Sequence, residues 1–171
     1  MISIGRFDNW SSIQYHVIAA YFDRDSIGLD NISTFFNNAS LEEREHADIL
    51  MKYQNKRGGK VQLDIPLFNT IQHEFTEITS KSDALLAFEK ALDMENVVYR
   101  SLLKVQNLEK FQQTLNLHIF IESEFLDEQI KSINELSKYI AQLRRIGKFN
   151  NGYGVWSFNR NFETYHAHYK K

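Results

Sequence analysis

The sequence contains no cysteine and only one proline, Pro66. The absence of cysteine excludes a disulfide framework, a thiolate metal site and a cysteine nucleophile. With one proline, long stretches of the chain can form uninterrupted helices. No apolar run approaches the roughly 20 residues that a membrane span needs. The amino terminus also lacks the basic start and long apolar stretch of a secretory signal, so we predict a cytoplasmic protein.

The chain has no large excess of charge of either sign. Its 20 basic and 22 acidic residues give a net charge of −2, which argues against a dedicated nucleic-acid binder. The one dense basic cluster, Arg144, Arg145 and Lys148, lies near a predicted helix end, where basic residues usually interact with the helix dipole. A length of 171 residues with 43% hydrophobic residues predicts a single domain over 1–171.

Apolar residues recur every three or four positions along most of the chain, which predicts helices. The expected helices are A over about 8–22, B over about 30–56, C over about 84–108, D over about 115–146 and a short aromatic helix E over about 152–162. Short links join A to B and C to D, whereas a long connection joins B to C. The predicted fold class is therefore all-α, a four-helix bundle over about 8–147 with a B–C crossover and a short fifth helix.

The predicted helix ends carry recognisable signals. The Gly58-Gly59 pair is expected to end helix B, because glycine is favoured just after a helix. Ser82 or Asp83 can cap helix C. The last six residues, HAHYKK, are expected to form an exposed tail.

Each of the four long helices places a polar residue in its apolar row. These residues are Asp8 on helix A, Glu43 with His46 on helix B, Glu95 on helix C and Gln129 on helix D. Carboxylates that face a core are costly to leave unpaired, and a bound cation compensates for that cost. The Glu-x-x-His spacing of Glu43 and His46 puts both side chains one turn apart, as in helical bundles that hold two metal ions. Taken alone, the pair is also compatible with a structural hydrogen bond. The occurrence of a polar residue in the apolar row of all four helices favours a metal site.

The ligand types restrict the metal. Oxygen ligands with one imidazole and no sulfur suit iron or manganese and tolerate zinc. A bridging glutamate can hold two ions close together, and two ferrous ions could pass electrons to dioxygen. A single ion in a closed cage would be structural.

Several segments, in order along the chain, resemble the ferritin family over about residues 8–162. The segment LEEREHADILMKYQNKRGG resembles that family's helix B, and the likeness continues in YFDRDSIGL, FEKALDMENVVYRSLL, FIESEFLDEQIKSI and LRRIGKF. The resemblance implies a subunit for iron storage, which oxidises Fe(II) with dioxygen and deposits ferric oxyhydroxide in a shell of about 24 subunits, alone or with other ferritin subunits. In such a shell, Trp156, Phe158 and Phe162 of helix E would pack around a four-fold axis. Otherwise, aromatic residues in a terminal segment indicate aggregation or a tail that packs back onto the bundle.

The resemblance also implies a diiron ferroxidase centre. His46 and Asp8 would ligate the first iron, Glu43 would bridge, and Glu95 would ligate the second iron. Gln129 would position water or dioxygen beside them.

Four more residues have roles only by this resemblance. Tyr15 matches a tyrosine near the centre that can hydrogen-bond a ligand and supply an electron. Glu42 and Glu45 match an acidic face of helix B where mineral nucleates, although the same pattern is typical of a solvated acidic face. Glu122 matches one of two acids that line the iron-entry channel in the family.

Three departures from the family pattern are visible. Asp8 stands where the family has glutamate, and its shorter side chain either binds the first iron weakly or caps helix A. Ile119, with His118 beside it, stands where the family has the second channel acid, so iron entry should be slower by this route or lie elsewhere. The B–C connection is longer and the segment before helix A shorter than usual, which affects assembly rather than chemistry.

Three other functions fit parts of the pattern. A light-chain-like structural cage subunit with weak ferroxidase activity is favoured by Asp8 and opposed by Glu43, His46, Glu95 and Gln129. A DNA-protecting mini-ferritin is opposed by the fifth helix and the acidic balance. A free-standing oxidase bundle needs a second Glu-x-x-His on helix D, which is absent.

Overall fold

The computed structural model describes residues 4–61, 82–106, 115–147 and 151–169, and the side chains of 10–61, 82–106, 116–147 and 152–162. These ranges form helices α1 (Ile4–Phe22), α2 (Asp30–Lys56), α3 (Asp83–Gln106), α4 (Leu115–Ile121), a π-helical turn (Glu122–Leu126), α5 (Asp127–Gly147) and α6 (Asn151–Tyr169). The described residues contain no strand, which confirms the all-α prediction. None of the described helices has the length and apolar character to cross a membrane. The predicted B–C crossover lies outside the described residues.

The helices pack as two neighbouring pairs, α1 with α2 and α3 with α5. Small polar residues bring the first pair together. Ser12 Oγ donates to the Ser40 carbonyl (2.8 Å), and Ser40 Oγ donates to the Ser12 carbonyl (2.7 Å). Because both hydroxyls find backbone partners across the contact, neither is left unsatisfied in this close approach.

The predicted end of helix B and the predicted cap of helix C are both present in the structure. Gly58 has φ +76°, and Gly59 N–H donates to the Gln54 carbonyl (3.0 Å), so the pair ends α2 in a left-handed cap. Ser82 Oγ accepts from the Leu85 N–H (3.2 Å) at the start of α3.

Helix D is interrupted, which the periodicity did not predict. The π-helical turn at Glu122–Leu126 separates α4 from α5. In an α-helix of 3.6 residues per turn, residues spaced four apart point in gradually different directions around the axis. A π-helical turn contains more residues, so residues spaced four apart stay on the same side of the helix. Ile121, Phe125 and Gln129, spaced four apart, consequently all remain buried.

The C-terminal helix packs back onto the bundle of the same chain. Phe158 and Phe162 are 4% and 2% exposed and belong to the main core cluster. Trp156 is 47% exposed. A Cβ on Gly154 would collide with the side chain of Ile146, so glycine lets α6 approach α5 closely. The backbone of α6 extends from Asn151 to Tyr169, beyond the predicted end at 162 and into the predicted tail.

Asn159 of α6 caps the start of α2. No side chain at Leu29, which precedes α2, provides a cap. Instead, Asn159 Oδ1 accepts from the Ile32 N–H (3.0 Å), and Asn31 Nδ2 donates to the Asn159 carbonyl (2.9 Å). The last helix therefore supplies a hydrogen-bond acceptor that α2 lacks locally.

We expect Asn159→Ala to lower the free energy of unfolding by about 1 kcal/mol, the usual effect of losing a helix cap. Denaturant unfolding of the metal-free protein measures this effect. Asn161→Ala is the matched control, because the exposed Asn161 side chain donates to the Ser157 carbonyl within its own helix. Equal destabilisation by both variants would contradict the capping role.

Candidate metal centre

A cavity of about 580 Å³ lies inside the bundle, lined by residues of α1, α2, α3, the π-helical turn and α5. Seven of its seventeen lining residues are acids: Glu42, Glu43, Glu95, Glu124, Asp127, Glu128 and Glu135. His46 and Lys131 are the basic side chains among the lining residues. A cleft with this excess of carboxylates attracts cations.

Two of these acids are buried at the inner end of the cavity. Glu43 is 5% exposed and Glu95 is 6% exposed. They come from α2 and α3, because each occupies an inward position of its helix, as the apolar rows predicted. Gln129 of α5 and Tyr15 of α1, 4% and 2% exposed, lie on the same cavity. The structure thus brings four of the predicted site residues from four segments to one space.

Hydrogen bonds hold Glu95 at both carboxylate oxygens. The Tyr15 hydroxyl donates to Oε1, and Gln129 Nε2 donates to Oε2. The same Gln129 nitrogen also donates to the Glu95 backbone carbonyl (3.2 Å). Each oxygen of an ionised carboxylate can accept more than one bond, so Glu95 can bind an ion beside these donors or in place of one of them.

Burial raises the pKa values of both Glu95 and Tyr15. Burial raises the pKa of Glu95, although the hydrogen bonds from Tyr15 and Gln129 and the nearby His46 oppose the rise. Burial also raises the pKa of Tyr15 well above its ordinary range, and the negative charges of Glu95 and Glu43 add to the effect. The Tyr15 phenol consequently remains a proton donor at neutral pH.

His46 faces the same cavity but is bonded elsewhere. Its Nε2 lies 3.2 Å from Glu128 Oε2, and its ring packs edge-on against Phe125 with centroids 5.4 Å apart. The His46 side chain is 16% exposed and that of Glu128 is 52% exposed. A carboxylate bonded to one ring nitrogen fixes the orientation of the imidazole, an arrangement common for metal-binding histidines.

Of the remaining predicted site residues, some line the cavity and others do not. Glu42 lines the cavity next to Glu43, whereas Glu45 is exposed on α2 and does not line it. Glu122 is exposed, and its Oε2 lies 3.8 Å from Nε2 of His118, away from the cavity. The backbone of Asp8 lies within α1, which begins at Ile4, so Asp8 does not occupy the capping position considered for it. Its side chain is outside the described residues.

Among the described side chains, no three of His, Asp or Glu are close enough together to hold one ion. Mutual repulsion keeps unscreened carboxylates apart, and here Glu95 and His46 are held by protein partners instead. A metal would have to draw these ligands together on binding.

Several cavity residues were not singled out from the sequence. Glu124, Glu128, Ser132 and Glu135 follow one another at spacings of four, four and three along helix D, and all four line the cavity. Helical spacing places such residues on one face. This spacing of polar residues, three of them acids, was the signal in the sequence that could have identified them.

We expect the stability of the metal-free protein to fall as pH rises above the ordinary glutamate pKa. The folded protein holds the Glu95 proton more tightly than the unfolded chain does, so stability declines with pH until the raised pKa is passed. Glu95→Gln removes this decline, and its stability relative to wild type should therefore increase across that window. Denaturant unfolding in chelator from pH 4 upward measures the difference. The exposed Glu45→Gln serves as control, and a pH-independent difference for Glu95→Gln would contradict the prediction.

Comparisons with known proteins agree with this architecture. A family model described as a ferritin-like domain matches residues 7–146. Ferritin-2, chloroplastic, of Arabidopsis thaliana is 48% identical over 149 residues, which cover 87% of this chain and 56% of that protein. Ferritin, chloroplastic, of Malus baccata var. xiaojinensis is 47% identical over 150 residues, covering 88% of this chain and 58% of the relative. The chain thus spans a little over half the length of these relatives. With its helical bundle and the matched domain, the chain belongs to the ferritin family.

Proposed function

We propose that this protein stores iron by oxidising Fe(II) with dioxygen at a diiron centre in the cavity and depositing ferric oxyhydroxide inside a shell. The observation that carries the proposal is the burial of Glu43 and Glu95 on one cavity that His46 also lines. Two acids buried on a cavity with five further acids would repel one another when ionised, and bound cations would relieve that repulsion. Membership of the ferritin family supports iron as the cation.

Each side chain of the proposed centre would have its own role in binding iron. Glu43 would bridge two ferrous ions, His46 and Asp8 would bind the first, and Glu95 would bind the second. Gln129, displaced from Glu95, would be free to orient water or dioxygen. The donor set of oxygen atoms and one imidazole suits iron.

Tyr15 would control the orientation of Glu95. Its hydroxyl donates to Glu95 Oε1, and a ligand held by a neighbouring group keeps its geometry as the ion changes charge. By family resemblance, Tyr15 would also supply an electron to dioxygen.

The outer acids would bring ions to the centre. Glu42, Glu124, Asp127 and Glu128 line the cavity and are all exposed, so they can exchange ions with solvent. Exposed Glu45 would contribute to mineral nucleation on the face of α2. Glu122 would retain some attraction for cations at an entry channel, weakened by the exposed Ile119 beside it.

Storage requires an assembly, since one bundle encloses no volume for mineral. We propose a shell of about 24 subunits, formed by this chain alone or with other ferritin subunits.

A cytoplasmic location stays a prediction, and the relatives named above are described as chloroplastic. Fractionation of the native host distinguishes the two compartments.

Oxygen uptake on addition of ferrous iron to the purified metal-free protein tests the function. We expect rapid uptake that saturates near two ferrous ions per chain, followed by slower uptake as mineral grows. Uptake no faster than in protein-free buffer would contradict the ferroxidase proposal. If such a protein still retained a mineral formed from ferric iron, it would be the structural cage subunit of the light-chain type.

A further inference from the structure

A second buried tyrosine is hydrogen-bonded to a residue of the cavity wall. Tyr139 of α5 is 0% exposed, and its hydroxyl donates to Glu135 Oε1 at 2.5 Å. Glu135 lines the cavity. Tyr139 shares this feature with Tyr15, whose hydroxyl donates to the cavity residue Glu95. Tyr15 itself lines the cavity, whereas Tyr139 reaches it through Glu135, one turn earlier on the same helix. In both cases a phenol inside the core is hydrogen-bonded to a carboxylate on the cavity wall.

Aromatic rings in contact connect the two tyrosines. The Tyr15 ring stacks on Phe36 with centroids 6.0 Å apart, Phe36 contacts Phe88 at 5.1 Å, and Phe88 contacts Tyr139 at 5.6 Å. Phe35, which lines the cavity, also meets the Tyr139 ring edge-on at 5.9 Å. These separations are typical of packed aromatic pairs. Tyr139 is therefore connected to the cavity both through Phe35 and through the Phe36–Phe88 route to Tyr15.

We propose that Tyr139 is a second electron donor for the reduction of dioxygen at the centre, with Glu135 as its proton acceptor. This inference rests on the proposed ferroxidase function, whose oxidant is dioxygen. It assigns to Tyr139 an electron that the two ferrous ions and Tyr15 do not supply.

The electron count makes a second tyrosine useful. Two ferrous ions give two electrons and reduce dioxygen only to the level of peroxide. One further electron each from Tyr15 and Tyr139 completes the four-electron reduction, in which the O–O bond breaks and two waters form. Of the four protons consumed, two come from the phenols and two from solvent. The products are two ferric ions, two neutral tyrosyl radicals and two waters.

Glu135 makes the loss of an electron from Tyr139 feasible. A tyrosine that loses an electron without losing its proton becomes a cation, and an unpaired charge in this aromatic core would be strongly disfavoured. Transfer of the proton along the existing bond leaves a neutral radical and a neutral carboxylic acid. Since Glu135 is only half-buried and lines the cavity, the proton can leave toward the oxygen being reduced.

Freeze-quench electron paramagnetic resonance tests the proposal. The full-length protein is loaded anaerobically with two ferrous ions per chain and mixed with dioxygen, and radical spins and released peroxide are counted. We expect Tyr15→Phe to retain a tyrosyl signal that disappears in Tyr15→Phe with Tyr139→Phe. Tyr139→Phe alone should lose part of the signal and release more peroxide per iron pair.

Two further variants separate electron donation from packing. Glu135→Gln keeps the Tyr139 ring in place but cannot accept the proton, so the same part of the radical signal should be lost. Tyr53→Phe is the matched control. The Tyr53 hydroxyl is buried, has no hydrogen-bond partner among the described residues and does not line the cavity. Its removal should leave spins and peroxide unchanged.

The outcomes distinguish this inference from the proposed function. Normal oxygen uptake with unchanged spins and peroxide in Tyr139→Phe and Glu135→Gln would overturn the role of Tyr139 and leave the ferroxidase function intact. Absence of oxygen uptake in the wild-type protein would overturn both.

Discussion

Glu95→Ala is expected to slow ferrous oxidation by more than about 100-fold, because loss of even an outer partner of a metal ligand typically costs about 10- to 100-fold. Glu95 is the acid that α3 contributes to the cavity, and it is buried beside Tyr15 and Gln129. Removing it deletes a ligand of the second iron and leaves two donors facing an empty volume. Initial rates of oxygen uptake at two ferrous ions per chain measure the effect.

Glu89→Ala is the control for this experiment. Glu89 lies on the same helix six residues earlier, but its carboxylate pairs with Arg144 at 2.8 Å and does not line the cavity. Its loss should leave the oxidation rate unchanged, apart from a small effect on stability. Comparable slowing by both variants would indicate damage to the bundle rather than loss of a ligand.

Phe162→Ala is expected to lower the free energy of unfolding by about 3–5 kcal/mol, the usual effect of deleting a buried phenylalanine. Phe162 is 2% exposed and contacts Phe35, Phe88 and Tyr139. It therefore joins the C-terminal helix to three helices of the bundle, and its removal should open a cavity that the rigid neighbours cannot fill. Denaturant unfolding of the metal-free protein measures the loss.

Trp156→Ala tests the same helix at an exposed position. Trp156 contacts Tyr153 and Arg160 on the outer side of α6, and it is 47% exposed. Its removal should change the free energy of unfolding by much less than Phe162→Ala does. If the two variants were equally destabilising, the docking of α6 through its buried aromatic side chains would be wrong.

Local rules predicted most of the fold. Helical periodicity located α1, α2 and α3, and the glycine cap at Gly58 and the serine cap at Ser82 were readable because each depends on a few adjacent residues. The π-helical turn was not predicted, since two successive spacings of four, as at Ile121, Phe125 and Gln129, also occur in ordinary α-helices. The cap that Asn159 provides to α2 depends on packing between distant segments, and no local pattern reveals it.

The candidate site was predictable where it depends on local spacing within one helix. Inward positions at Glu43, Glu95 and Gln129 follow from their places in apolar rows, and all three are buried. Contacts between helices were not predictable, because they depend on the register at which two helices pack. The pairing of His46 with Glu128 is of this kind. The roles of all these residues stay proposals.

Anomalous scattering from a crystal soaked anaerobically in ferrous iron tests the central claim most directly, namely that buried acids of separate helices share a pair of iron ions. The account predicts two peaks between Glu43 and Glu95, one of them next to His46, with Gln129 moved away from the Glu95 carboxylate. No peak in this cavity, with iron bound only at exposed acids such as Glu45 and Glu122, would contradict it.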